Sequence, residues 1–380
     1  MIYLDHAAAT PMDERVRAAM EPYFSEKFFN PSSPYAPAIH VRREYEQAKH
    51  TIAKIIGAKP DDLIMTAGAT ESINLMFGSV SGHVVTTAIE HHAVLRAAER
   101  HNATFIVSDA KGMIAVRDIA RSIRPDTQLV SVSLANNELG TIQPIRDIAT
   151  VVQAERQRRF EAGETTPIYF HTDASQGVGQ LDVNVARLGV DALTLNAGKI
   201  YGPKQAGLLW VANYVRLTPQ IVGGGQERNL RSGTENIANV VGFTTALQLA
   251  QDHRRSESER LGRLRDTLQR KLLAAFPEAV VSGNQKHRLP GFLHISFAGI
   301  DAERVIFMLE AQQVYVATGS ACAANKGTRS HVLEAIGLDP TLADGSLRLT
   351  LGRLSDDSSI ARAADILVAT IISEKERAAR

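Results

Sequence analysis

Between Pro60 and Val211 the sequence alternates short apolar, β-favouring runs with helix-favouring stretches, and this rhythm restricts the fold more than any other feature. Strands are expected at Val84–Ala88, Thr104–Val107, Leu129–Leu134, Ile168–Thr172, Ala192–Leu195 and Gly207–Val211. The segments between them, such as the helix-like Ala93–His101 and Ile145–Phe160, are long enough for crossovers between parallel strands rather than hairpins. The reading is an α/β domain with a mostly parallel sheet covered on both faces.

From Ala246 to Phe276 the chain is charged and helix-favouring, without an internal proline, and reads as a bridge into a second, smaller α+β domain. That domain is expected to contain strands at Leu293–Phe297, Val314–Ala317 and Leu347–Leu351, a helix from Asp301 to Gln312 and a short helix after Ser330. Its last helix starts at Ser355-Asp356-Asp357 and aligns Ile360, Ala364, Leu367 and Ile371 on one face. The expected division is residues 12–255 for the large domain, with 1–11 and 256–380 forming the small one.

Forty-two Lys and Arg against forty-one Asp and Glu leave a net charge of +1, so no global field favours nucleic acid or an anionic membrane. No apolar run approaches the roughly 20 residues of a membrane span, and the first residues carry no basic leader pattern. A soluble, cytoplasmic protein is expected. With the single cysteine, Cys322, an internal disulfide is impossible and a cysteine-based zinc site implausible; no metal is expected.

In an open α/β sheet, ligands collect beyond the carboxyl ends of the strands. Met65 to Glu71 offers small residues, free N–H groups and a hydroxyl at a helix start, suited to a phosphate; taken alone it reads better as a Thr cap with a Gly turn. Asp173 ends a buried-looking strand, where it can meet a protonated ring nitrogen or, equally, cap a helix. Lys199 follows another strand through Asn196-Ala197-Gly198, a place for an imine-forming lysine, although most loop lysines are only solvated charges. Phosphate cup, acid and lysine, each after its own strand, are together what pyridoxal phosphate requires.

The blocks Ile2–Pro11, Asn30–Ser33, Gly68–Ser72, Glu90–Val94, Ala135–Gly140, His171–Gln176, Gly198–Lys204, Arg231–Asn236, Gly319–Cys322 and Arg348–Arg353 occur in one order. In that order they resemble the cysteine desulfurases of the NifS/IscS type, in the class V group of fold-type I pyridoxal-phosphate enzymes. The resemblance covers nearly the whole chain. It implies a fold-type I transferase in which Lys199 holds the cofactor and Asp173 keeps its pyridine nitrogen protonated. Gln176, Asn137 and Asn196 would bind on the cofactor side, Ala69 and Thr70 at the phosphate, and Thr234 at the phosphate of a neighbouring subunit, hence a homodimer. His91 would stack on the ring and move protons, whereas His92 would lie outside. Arg348, with Asn137, would grip the substrate carboxylate, and Arg353 would be structural.

The implied reaction converts L-cysteine to L-alanine and leaves the sulfur on Cys322 as a persulfide for an acceptor or iron–sulfur scaffold protein. The small-residue setting of Cys322 argues for a nucleophile rather than a buried apolar group. Where the family usually carries Ser-x-His before the lysine, this chain has Asn196-Ala197-Gly198. The lost histidine donor should loosen cofactor binding by about 1–3 kcal/mol unless Asn196 or another donor replaces it. A selenocysteine lyase or cysteine β-lyase is the alternative, and a degenerate homologue acting as a binding partner is disfavoured by the joint presence of Lys199, Asp173, Cys322 and Arg348.

Overall fold

A computed structural model describes residues 1–319 and 329–379. Cys322 therefore lies outside the described residues. Twelve strands are described: β1 (Ile2–Tyr3), β2 (Leu63–Thr66), β3 (His83–Thr87), β4 (Ala103–Ile106), β5 (Thr127–Ser131), β6 (Tyr169–Asp173), β7 (Ala192–Asn196), β8 (Gly207–Val211), β9 (Val280–Ser282), β10 (Phe292–Ser296), β11 (Val314–Tyr315) and β12 (Ser346–Thr350).

Seven of them form one sheet in the order β2-β8-β7-β6-β5-β3-β4. The pairs among β3 to β7 are all parallel, and β8 runs antiparallel to both β7 and β2. The exception has a local cause: only residues 197–206 separate β7 from β8, too few for a helical crossover. Because β8 opposes both neighbours, β2 points the same way as β7, and the loops after β2, β3, β5, β6 and β7 leave the sheet at one edge. Strands such as His83–Thr87 and Gly207–Val211 are buried at every position, as expected where helices cover both faces.

The second core is built on the antiparallel sheet β12-β10-β9. Leu261, Leu264, Leu268 and Leu272 recur at three- and four-residue spacing along the helix Arg254–Ala275 and pack in one cluster with Ile360, Ala364, Leu367 and Ile371 of the helix Asp357–Ala378. Truncating one of these leucines to alanine should cost about 2–5 kcal/mol. The stretch Ala246–Phe276 is not one helix: Ile237–Asp252 and Arg254–Ala275 meet at His253, whose φ of −98° and ψ of 1° leave the helical region. The first residues join this second core, since Ile2 and Leu4 belong to its cluster and β1 pairs with β11. Thr350 N–H donates to Leu4 O at 2.7 Å, which directs the following Asp5, His6 and Ala7 toward the edge of the large sheet. Among the described residues no helix is long and apolar enough to cross a membrane.

Candidate active site

The loops at that common sheet edge enclose a cavity of about 180 Å³. After β2, Gly68 stands at φ 133° and ψ 176°, and the helix Ala69–Phe77 begins without a side-chain cap, so its first N–H groups remain available to a ligand. Ala69 and Thr70 line the cavity at this point. After β6, Asp173 accepts a hydrogen bond from Ser175 N–H at 2.9 Å, and Gln176 donates through Nε2 to Ala7 O at 3.1 Å. After β7, the Asn196 side chain caps the turn by accepting from Gly198 N–H at 3.0 Å. Lys199, at the end of that turn, donates from Nζ to Ala7 O at 2.7 Å and Ala8 O at 2.8 Å.

His91 follows β3 and opens the helix His92–Ala98, with Nδ1 accepting from Ala93 N–H at 3.1 Å. That bond puts the proton of the neutral ring on Nε2. Burial lowers the His91 pKa below the usual imidazole value; Asp173 pulls it up, while Lys199 and His331 push it further down. Its neighbour Glu90 is 2% exposed and accepts from Thr87 Oγ1, Ser133 N–H and Ser133 Oγ. Burial raises the Glu90 carboxyl to about 7, against the lowering effect of those donors. His92 stacks at a tilt on His331, with ring centroids 4.7 Å apart.

At the opposite end of the cavity, β12 delivers Arg348. It is 2% exposed, donates from Nη2 to Asp5 Oδ1 at 2.7 Å and from Nη1 to Asn137 O at 3.1 Å, and its Nε has no partner among the described residues. The fold thus brings together Ala69, Thr70, His91, Asn137, Asp173, Gln176, Asn196, Lys199 and Arg348 around one cavity. Thr234 is exposed and does not line it. Arg353 pairs with Asp13 at 2.7 Å and lies over the Tyr201 ring, 4.3 Å from its centroid.

Sequence reasoning missed five contributors: the carbonyls of Ala7 and Ala8, the carboxylate of Asp5, the Ser133 side chain and the buried Glu90. The small-residue run Ala7-Ala8-Ala9 was the available signal for the first two, because short side chains leave the backbone carbonyls open to a lysine.

The sequence pattern of the family described as aminotransferase class-V matches residues 2–362. The chain is 39% identical over 378 residues to a cysteine desulfurase IscS from Dictyoglomus turgidum, covering 96% of this chain and 93% of the relative. The chain belongs to the class-V aminotransferase family, in its NifS/IscS branch of cysteine desulfurases. A cysteine desulfurase IscS 1 from Archaeoglobus fulgidus is 38% identical, with 98% of this chain and 97% of that one covered. A solved NifS-like protein superposes with a TM-score of 0.89 at 29% identity, covering 98% of this chain and 99% of its own.

This class-V family is pyridoxal-phosphate-dependent. The residues present fit that group. A Cβ built on Gly68 meets nothing within 4 Å, so an open cradle lies at an uncapped helix start where a phosphate is stabilised by N–H groups. A carboxylate, an imidazole and a lysine line the same cavity, as its ring and aldehyde need.

Proposed function

We propose that this chain is a cysteine desulfurase that converts L-cysteine to L-alanine, passes the sulfur to Cys322 as a persulfide and hands it to an acceptor protein such as an iron–sulfur scaffold. The observation that carries the reading is the convergence of Lys199, Asp173, His91 and Arg348 on one cavity in a chain of the cysteine desulfurase branch. Lys199 would hold pyridoxal phosphate, Asp173 its ring nitrogen, and Ala69 and Thr70 its phosphate, with Gln176, Asn137 and Asn196 on its polar edge. When bound, pyridoxal phosphate supplies an electron sink for the substrate's α-carbon.

The chain's own residues do the rest. Arg348 takes the substrate carboxylate, its unpartnered Nε offering a donor that neither Asp5 nor Asn137 occupies. The carbonyls of Ala7 and Ala8 orient the Lys199 amine that takes the α-proton. His91, kept neutral by burial, moves a proton at Nε2. The Cys322 thiolate attacks the substrate sulfur: a sulfur–sulfur bond forms, the carbon–sulfur bond breaks with its electrons on carbon, and a proton there completes alanine. Thr234, exposed beside Gly233 at φ 119°, supports a homodimer in which it completes the partner's phosphate site. The two hydrophobic cores support a large domain of residues 12–255 and a small one of 1–11 and 256–380, except that Val332, Leu333 and Ile336 of the second pack into the first core; a cytoplasmic location is part of the same proposal.

The test is alanine release from L-cysteine by the holoenzyme and by Cys322→Ser. Loss of at least about a hundredfold in the variant, with cofactor retained, is expected, because a hydroxyl is a far poorer sulfur acceptor than a thiolate. Undiminished alanine release would transfer the assignment to a selenocysteine-lyase type of reaction that does not need the cysteine, and pyruvate with sulfide in place of alanine would transfer it to a β-lyase.

A further inference from the structure

Away from the active site, the helix Arg254–Ala275 and the segment 284–290 border an open groove of about 830 Å³. Five cationic side chains line it, Arg263, Arg265, Arg270, Lys286 and Arg288, against the two carboxylates Glu259 and Asp266. In a chain of net charge +1 this is a concentrated local excess. Its most telling member is Arg288. The residue is 7% exposed and donates from Nη2 to Gln269 Oε1 at 3.0 Å, yet Nε and Nη1 are buried without an acceptor among the described residues. Burial, reinforced by Arg265, lowers its pKa to about 10, so it stays a cation at neutral pH. A buried cation with two unsatisfied nitrogens costs stability and gives the fold nothing.

We infer that this groove docks an acidic peptide segment of a partner protein, whose carboxylates supply the acceptors that Arg288 lacks. Three features select a carboxylate-bearing strand over a single small anion. The hydrogens on Nε and Nη1 leave the guanidinium on opposite sides, so one carboxylate cannot take both. The groove runs along the helix from Glu259 to Arg270, about 16 Å at the helical rise, which matches roughly five residues of extended chain. Gly262 leaves a gap in its wall, since a Cβ there meets nothing within 4 Å.

Arg265 pairs with Asp266 at 2.7 Å and donates to Pro290 O, and Arg270 donates to Asp266 O and Thr267 Oγ1, which leaves Lys286 and Arg263 as the cations open to exchange. Lys286 is exposed with no side-chain partner among the described residues. Arg263 is engaged only by Asp357, at 2.5 Å, in a pair whose side chains are 58% and 71% exposed. An exposed pair of that kind is weak enough to exchange for a better acceptor.

The experiment is fluorescence anisotropy of a labelled hexaglutamate peptide with the full-length holoprotein in low salt. Hexalysine serves as the opposite-charge control, inorganic phosphate as competitor, and Arg288→Met and Lys286→Glu as variants. The inference requires binding of hexaglutamate but not hexalysine, weakened about tenfold or more by Arg288→Met and severalfold by Lys286→Glu, and weakened by added salt. Thermal unfolding of Arg288→Met should be unchanged or shifted upward, because an unsatisfied buried charge is removed; a merely structural arginine would give a clear loss. Lys286→Glu is a surface change that keeps the test intact if Arg288→Met does not fold. Equal affinity of both variants and wild type, no hexaglutamate binding, or full displacement by millimolar phosphate would overturn the inference, the last pointing to a small-anion site alone.

Discussion

The two ends of the active-site cavity are made of different material. The end proposed to hold the phosphate is backbone: Gly68 in a conformation open to glycine, an uncapped helix start, and the small residues Ala69 and Thr70. The end proposed to take the substrate carboxylate is buried charge: Arg348 at 2% exposure, held by Asp5 and by the Asn137 carbonyl. Backbone N–H groups at a helix start are preorganised for an anion and need no counter-ion when empty. A buried guanidinium does need one, and Asp5 supplies it. On the proposed assignment, the phosphate end is set for a resident group, whereas the carboxylate end is kept satisfied between turnovers and shares its arginine with each incoming substrate.

Removing the arginine is the most severe way to challenge that contrast. Arg348→Gln leaves Asp5 without its partner and the substrate carboxylate without its donor, so kcat/KM for L-cysteine should fall by about 10²–10³ while equilibrium dialysis finds cofactor affinity unchanged. An equal loss of cofactor would mean that the two ends do not act separately. Gly68→Ala is the converse change. At φ 133° any side chain is strained, so the variant should lose about 1–3 kcal/mol of cofactor affinity, yet keep its KM for L-cysteine when saturated with cofactor. A raised KM with normal cofactor retention would blur the comparison.

The smallest expected effect concerns Gly198, which stands where the family resemblance implies a histidine. Its φ is not in the left-handed region, but an added Cβ would approach Asn196 Oδ1 to 3.3 Å, against the cap that Asn196 makes to Gly198 N–H. Gly198→His should tighten cofactor binding by about 1 kcal/mol, a new donor partly offset by that crowding. Dialysis showing equal or weaker retention would mean that Asn196 already fills the role.

Strand positions in the large sheet were legible because burial on both faces writes continuous apolar runs, and β3 to β8 fall within two residues of their expected starts. Less legible were β1, β2 and β9, at two to four residues too short to carry a periodic signal, and the break at His253, where the charged, helix-favouring composition continues across a change in backbone angles. Lys199 and Asp173 stood out as polar groups after buried-looking strands, and His91 came from the family resemblance. Their partners did not stand out. Asp5 is 343 residues from Arg348, and Lys199 meets carbonyls about 190 residues away, a kind of contact that no local pattern encodes. Glu90 was present in a recognised block, but its burial beneath Ser133 depends on the pairing of β3 with β5.

The most direct test of the whole account is peptide mass mapping of the holoenzyme after incubation with L-cysteine, with and without reductant. The account predicts one added sulfur on the peptide containing Cys322, removed by reductant and absent from Arg348→Gln under the same brief exposure. Alanine formed in stoichiometric or greater amounts with Cys322 unmodified at every time point would contradict it.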